Sequence, residues 1–184
     1  MKNRLTQLLL RTKAGDRQAR ESLFAAAYPE LERLARARLH DGGRNTLLDT
    51  GSLVHESYLR FVRAEALRAE DRRAFFAYAS QVMRSVIVNS ARDRLAQKRG
   101  GEHRPLTLAT GIEDQLPGGE KAILEVHEAL AALEKADPRL ALVAQMRYFG
   151  GYSEPEIAET LGVSLRTVQR DWEKARLILA AALR

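Results

Sequence analysis

The sequence predicts an all-α protein: two small helical domains joined by a flexible linker, the second carrying a helix-turn-helix. Three observations carry this. Ala, Leu, Arg and Glu dominate, strand signals are nearly absent, and apolar residues recur at helical spacing. The stretch "GGEHRPLTLATGIEDQLPGG", residues 100–119, has glycines at both ends, two prolines (Pro105 and Pro117) and no periodicity, so it reads as a linker. Residues 152–176, "YSEPEIAETLGVSLRTVQRDWEKAR", read as two short helices around a tight corner. The expected division is therefore 1–99, a linker over 100–119, and 120–184.

The first residues, "MKNRLTQLLLRTKAGD", begin charged, and only Leu8 to Leu10 form a continuous apolar run. No small-residue cleavage site follows, so no signal peptide is expected. Asp16 is placed to cap a helix with Ser22, Leu23, Ala26 and Ala27 on one face. Pro29 should start or kink the next helix, through Leu31, Leu34 and Leu39, and "HDGGRN" should end it. A helix from about Ser52 repeats Leu53, Val54, Ser57, Tyr58, Phe61 and Val62 as a stripe two residues wide. A long helix from about Phe75 carries Ala79, Val82, Val86 and Ser90 and ends in the basic "RDRLAQKRGG". After the linker, Ile123, Val126, Leu130 and Leu133 form another stripe, "KADP" stops it, and Leu140 to Tyr148 make a further helix. No repeat recurs at a fixed period.

The chain of 184 residues holds 30 Lys+Arg against 24 Asp+Glu, a formal charge of +6. Its pI near 9.9 favours polyanionic partners, nucleic acid or an anionic membrane surface. The longest apolar runs, such as Leu177 to Leu183, are far below the roughly 20 residues a membrane span needs, so no insertion is expected. Without cysteine there is neither a disulfide nor a thiolate metal site, which fits a reducing cytoplasm.

In the closing stretch, Ser153 with Glu156 makes a capping box. Ala158 lies where two helices approach closely, Gly162 follows at i+4 where a sharp corner calls for positive φ, and Ser164 caps the second helix. That helix buries Val168, Trp172, Ala175 and Leu179, the helix-turn-helix pattern. Its other face shows Arg166, Thr167, Gln169 and Arg170, with Ser164 and Lys174 at the margins. Arginine suits guanine or phosphate, glutamine suits adenine, and threonine suits phosphate or a thymine methyl. The plainer reading is a solvated face on a helical hairpin. Its donor density in a basic protein argues instead for DNA.

An enzyme finds little support. His40, His55, His103 and His127 make no HxxxH or HExxH pattern, and no metal site or cofactor is expected. Asp16 with Glu21, and Glu154 with Glu156 and Glu159, are better explained as helix capping. The "GGxxxxP" pieces lack the Lys-Ser/Thr of a phosphate loop.

"SLVHESYLRFV", then "FFAYASQVMRSVIVNSARDRLAQKRGG", a loose linker and a terminal helix-turn-helix together resemble the extracytoplasmic-function (ECF) group of bacterial RNA polymerase sigma factors. The resemblance covers nearly the whole chain and is weakest in the first residues and the linker. It implies a cytoplasmic, nucleoid-associated protein that binds core RNA polymerase, through its clamp helices and flap, and directs it to promoter DNA. By the same resemblance, Leu53, His55, Glu56, Leu59, Arg60 and Arg63 form the docking surface for the clamp helices. Arg84, Ser85, Asn89 and Arg92 belong to the unit that reads and melts the minus-ten element, together with the loop "LRAEDRR". Arg94, Lys98 and Arg99 hold phosphate. Tyr78 either offers a stacking surface or belongs to the core. The C-terminal helix, with Ser164, Arg166, Thr167, Gln169, Arg170 and Lys174, reads the upstream, minus-thirty-five element.

One departure stands out. Ser52 occupies a place where the family's docking helix commonly begins with an acid. A phosphate on Thr50 would restore roughly −1.5 to −2 charges beside the helix N-terminus. Activation by a Ser/Thr protein kinase at Thr50, with Ser52 or Ser57 as lesser candidates, is therefore expected; otherwise Asp49 and Glu56 supply enough charge, and an anti-sigma factor is the other possible controller. The remaining alternatives are a stand-alone helix-turn-helix regulator and a nucleic-acid-processing enzyme.

Overall fold

A computed structural model of the chain describes residues 2–40, 49–63, 71–99 and 119–183. They form α1 (Lys2–Lys13), α2 (Arg17–His40), α3 (Thr50–Arg63), α4 (Arg72–Arg99), α5 (Glu120–Ala136), α6 (Pro138–Tyr148), α7 (Glu154–Leu161) and α8 (Leu165–Ala182). No strand occurs among the described residues. The expected linker lies outside them, apart from Gly119, as do most of "HDGGRN" and most of "LRAEDRR".

The first helix was not foreseen from the short leucine run. Leu5, Leu8, Leu9 and Thr12 are nevertheless buried at i, i+3, i+4 and i+7, and α1 lies along α2. Asp16 opens α2 as expected, accepting from the Ala19 amide at 2.9 Å.

Pro29 does not start a new helix. α2 runs 24 residues through it as one helix. The buried stripe of Ala19, Leu23, Ala27, Leu31, Leu34 and Ala35 continues across the proline. Pro29 itself and Ala25, whose carbonyl loses its i+4 donor, are both exposed, which leaves that carbonyl on the side of α2 open to water.

α3 begins at Thr50, because Asp49 caps it, accepting from the Ser52 amide at 2.9 Å and the Ser52 hydroxyl at 2.6 Å. α4 begins at Arg72, with Asp71 accepting from the Ala74 amide at 2.8 Å. It is 28 residues long and buries side chains on nearly all sides, which marks it as the central helix. Phe24, Tyr58, Phe61, Phe75, Phe76 and Tyr78 meet around its first turns, with ring centroids 4.8–5.5 Å apart. Tyr78 is thus part of the core, edge-on to Phe61.

In the C-terminal half, Asp137 ends α5 and opens α6, accepting from the Leu140 amide at 3.1 Å, with Pro138 following. Ile123, Val126, Leu130 and Leu133 are buried as the stripe requires. The two halves do not stand apart. α4 contacts α5, α6 and α7, and buried residues from both halves form one continuous core. The Tyr152 hydroxyl donates to the Phe76 carbonyl at 3.0 Å, Arg33 pairs with Glu156, and Arg38 sits 4.8 Å over the Tyr148 ring. Burial keeps the Tyr152 hydroxyl protonated by pushing its pKa well above the usual range, so it remains a donor.

Candidate nucleic-acid interface

α7 and α8 meet at a corner built from local rules. The Ser153 amide donates to Glu156 Oε2 at 2.8 Å and its hydroxyl at 2.7 Å, and Arg33 adds a cation. Although burial opposes it, these partners hold the Glu156 carboxyl below its ordinary value. Gly162 ends α7 at φ +68°, and the Val163 amide closes on the Ala158 carbonyl at 3.1 Å. Ser164 caps α8, accepting from the Thr167 amide at 3.1 Å, while the two hydroxyls lie 2.8 Å apart.

Beyond that cap, Arg166, Gln169, Arg170 and Lys174 are exposed along one face of α8, with Thr167 half-buried at its edge. Val168, Ala175 and Leu179 are buried beneath, and Trp172 packs against them half-buried. Asp171 went unnoticed in the sequence, yet it is only 3% exposed. Arg139 of α6 reaches it at 2.8 Å, and Arg170 lies 3.5 Å away. An acid falling on the Val168–Ala175 stripe was the signal available. This ion pair ties α8 to α6 and fixes the direction in which the basic face looks.

The expected minus-ten set divides in two. Asn89 and Arg92 are exposed on α4, and Arg94 is half-buried with partners of its own. Lys98 and Arg99 close α4, but their side chains lie outside the described residues. Ser85 accepts from Arg60 of α3, so a residue expected to face DNA and one expected to face the polymerase touch each other.

Arg84 is placed differently. It is 8% exposed and points into the C-terminal half. Its Nε donates to His127 Nδ1 at 3.0 Å, Nη2 to the His127 carbonyl at 2.9 Å, and Nη1 to Gln145 Oε1 at 3.0 Å. Glu134 stands 3.7 Å away, and the Gln145 amide donates on to Ser80 at 3.2 Å. In this arrangement the Arg84 guanidinium is taken up by the protein itself and is not presented to solvent. His127 and Gln145 were missed; a glutamine inside the apolar run "LALVAQM" was the clue.

On α3, His55 and Glu56 are exposed and Leu59 and Arg60 half-exposed. Leu53 is fully buried beside Val54 and Phe61, so it supports the helix from beneath instead of forming its outer face. The Arg63 side chain lies outside the described residues. Thr50 is half-exposed at the first position of α3. Asp49 already occupies the N-terminus, its carboxyl held below the ordinary value mainly by the Ser52 hydroxyl and amide. Ser57 is completely buried with an unpartnered hydroxyl, so it is out of reach of a kinase, a correction to its candidacy.

Among the described residues no cluster of side chains is suited to a metal ion, and no helix is long and apolar enough to cross a membrane.

Comparison with known proteins gives concordant matches. The family model described as "ECF sigma factor" matches residues 2–184. Two curated relatives, both "ECF RNA polymerase sigma factor SigM" of Mycobacterium tuberculosis (strains Erdman and H37Rv), are 30% identical over 179 residues. Those alignments cover 96% of this chain and 83% of each relative. No solved structure matches.

Proposed function

This chain belongs to the ECF sigma factor family, and from that premise we propose how its surfaces divide the work of an RNA polymerase sigma factor. α3 presents His55, Glu56, Leu59 and Arg60 to the clamp helices of core polymerase. α4 reads and melts the minus-ten element through Arg84, Ser85, Asn89 and Arg92, with Arg94, Lys98 and Arg99 on phosphate. α8 enters the major groove of the upstream element with Arg166, Gln169, Arg170 and Lys174, while Ser164 and Thr167 at its start serve the backbone. The linker over 100–119 lets the two modules engage one promoter together. The protein works where the polymerase is, in the cytoplasm.

The observation that supports this most strongly is the pairing of a family match over residues 2–184 with a basic α8 face left open to solvent. Transcription with purified core polymerase on genomic templates tests it. Run-off products that depend on this protein are expected. Tight binding to a symmetric operator by the protein alone, with no association to core polymerase, would instead indicate a stand-alone regulator.

Control by phosphorylation at Thr50 is the finer part of the reading. With Asp49 already at the N-terminus of α3, a phosphate there adds charge to an occupied site. Comparing Thr50→Ala with Thr50→Asp in a core-polymerase pull-down decides it, and equal binding leaves Asp49 and Glu56 as the sufficient acids. An anti-sigma factor would act by covering the same α3 and α8 surfaces.

A further inference from the structure

We propose that the arrangement of helices described above is a self-closed form, in which the C-terminal half withholds Arg84 from DNA and the cage of His127 and Gln145 is the latch. The consequence for DNA rests on the sigma factor reading; the closure itself does not.

The contact between the halves is polar at its centre. Arg84 gives up water and receives two side-chain acceptors and one carbonyl in return, all from α5 and α6. Removing a guanidinium from water is costly unless it is hydrogen-bonded, and each of its three nitrogens finds an acceptor in the cage. Its surroundings remain short of charge. Glu134 is the nearest carboxylate at 3.7 Å and is itself more than half exposed. Burial lowers the Arg84 pKa, and the main contact to its Nε is a neutral imidazole. A phosphate or a polarised base edge is a stronger partner than either. The latch therefore holds in the absence of nucleic acid and yields to it.

A second contact sets how closely the halves approach. Gly151, at φ +69°, lies in the corner between α6 and α7 and backs onto α2. A methyl group there would stand 2.3 Å from the Leu34 carbonyl oxygen and 2.8 Å from the Arg38 nitrogen, both backbone atoms that cannot swing aside. Only glycine permits this fit. Tyr152, Arg33–Glu156 and Arg38–Tyr148 close the same seam.

The closure is selective. Arg166, Gln169, Arg170 and Lys174 stay exposed on α8 while Arg84 is hidden. The closed protein keeps its upstream reader and loses the Arg84 contact. Release of Arg84 then becomes a step of its own, coupled to engagement of polymerase and downstream DNA.

The chain has no cysteine, so Gln18→Cys and Ala180→Cys, both exposed and in different halves, accept a fluorescent donor and acceptor specifically. Energy transfer is measured in the full chain, free and with core polymerase. High transfer is expected in the free protein and a fall on adding polymerase. His127→Ala with Gln145→Ala should lower transfer without polymerase. It should also tighten binding to the single-stranded minus-ten stretch of a promoter mapped by run-off transcription, by about tenfold for two lost hydrogen bonds. Gly151→Ala wedges the seam while leaving the cage residues intact, and should act in the same direction; Tyr152→Phe, which deletes one hydroxyl, should act more weakly. Circular dichroism checks that each variant remains helical. Unchanged transfer in both the cage variant and Gly151→Ala overturns the proposal. A fall in transfer with no gain in oligonucleotide binding overturns the withholding of Arg84. If no version supports run-off transcription, the sigma factor reading fails while the transfer data still decide the closure.

Discussion

Arg84 donates its Nε hydrogen to His127 Nδ1 at 3.0 Å, so a cation from the N-terminal half is held by a neutral imidazole of the C-terminal half. The bond assigns the proton of that ring to Nε2 and leaves Nδ1 as the acceptor. Protonating His127 would turn an acceptor into a second donor facing a guanidinium.

The seam should therefore respond to pH. Burial, then Arg84 and Arg92 of α4, hold the His127 pKa below its ordinary value of 6.5, while Glu128 and Glu134 of α5 oppose them. A lowered pKa in the closed form means that closure favours the neutral ring. The contribution is complete above about 6.5, the value of an unrestrained histidine, and is lost as pH falls through the closed-form pKa. Energy transfer across the seam should drop on acidification, and His127→Gln should flatten that response.

Arg84→Ala should separate closure from promoter use. Removing the guanidinium empties the cage and leaves His127 and Gln145 short of a donor, so the halves should part as readily as in the cage variant. The same change deletes a contact proposed for the minus-ten element. Energy transfer should fall while binding to the single-stranded minus-ten stretch also falls, the opposite of the gain expected from His127→Ala with Gln145→Ala.

Asp171 anchors α8 through Arg139 at 2.8 Å. Arg139 is half exposed and keeps water when its partner is removed, which limits the loss. Asp171→Ala should lower stability by about 1–2 kcal/mol in chemical unfolding. Upstream-element binding should weaken as well, because α8 loses the tie that aims its basic face.

On that face, Arg166→Ala and Arg170→Ala should each cost about 1–3 kcal/mol in upstream-element recognition where the contact is bidentate to guanine. Arg170 lies 3.5 Å from Asp171 and starts from a partly engaged position, so Arg166→Ala should show the larger effect. A promoter-mutation series read with each variant checks the assignment, and an unchanged sequence preference counts against it.

Gly162 and Gly151 share positive φ but differ in surroundings. A methyl group at Gly162 meets only the Arg73 guanidinium, the mobile end of a long side chain, at 2.7 Å. Gly162→Ala should cost about 1–2 kcal/mol, the left-handed backbone term alone, measured by thermal unfolding. Gly151→Ala adds a backbone clash to the same term and should destabilise more.

Much of the C-terminal half was legible because its signals are local. Ser153 with Glu156, Asp137 before Pro138, Gly162 and Ser164 each act on amides or carbonyls within a few residues, and all are found in the expected roles. The open face of α8 followed from helical period alone. Pro29 starts no helix because the bond its ring removes falls on the solvent side of α2, and which side that is depends on which face the core covers. α1 was overlooked because its leucines are too few to stand out until α2 is beside them.

By itself the sequence determined the helices of the C-terminal half, their caps and the basic face of the last one, since hydrogen bonding and period act along the chain. The fate of Arg84 was decided only by tertiary structure. Its neighbours in sequence place it on α4, but its partners are 43 and 61 residues away. Whether that guanidinium meets DNA or His127 depends on how two halves pack, and no local pattern encodes a contact made across such a distance.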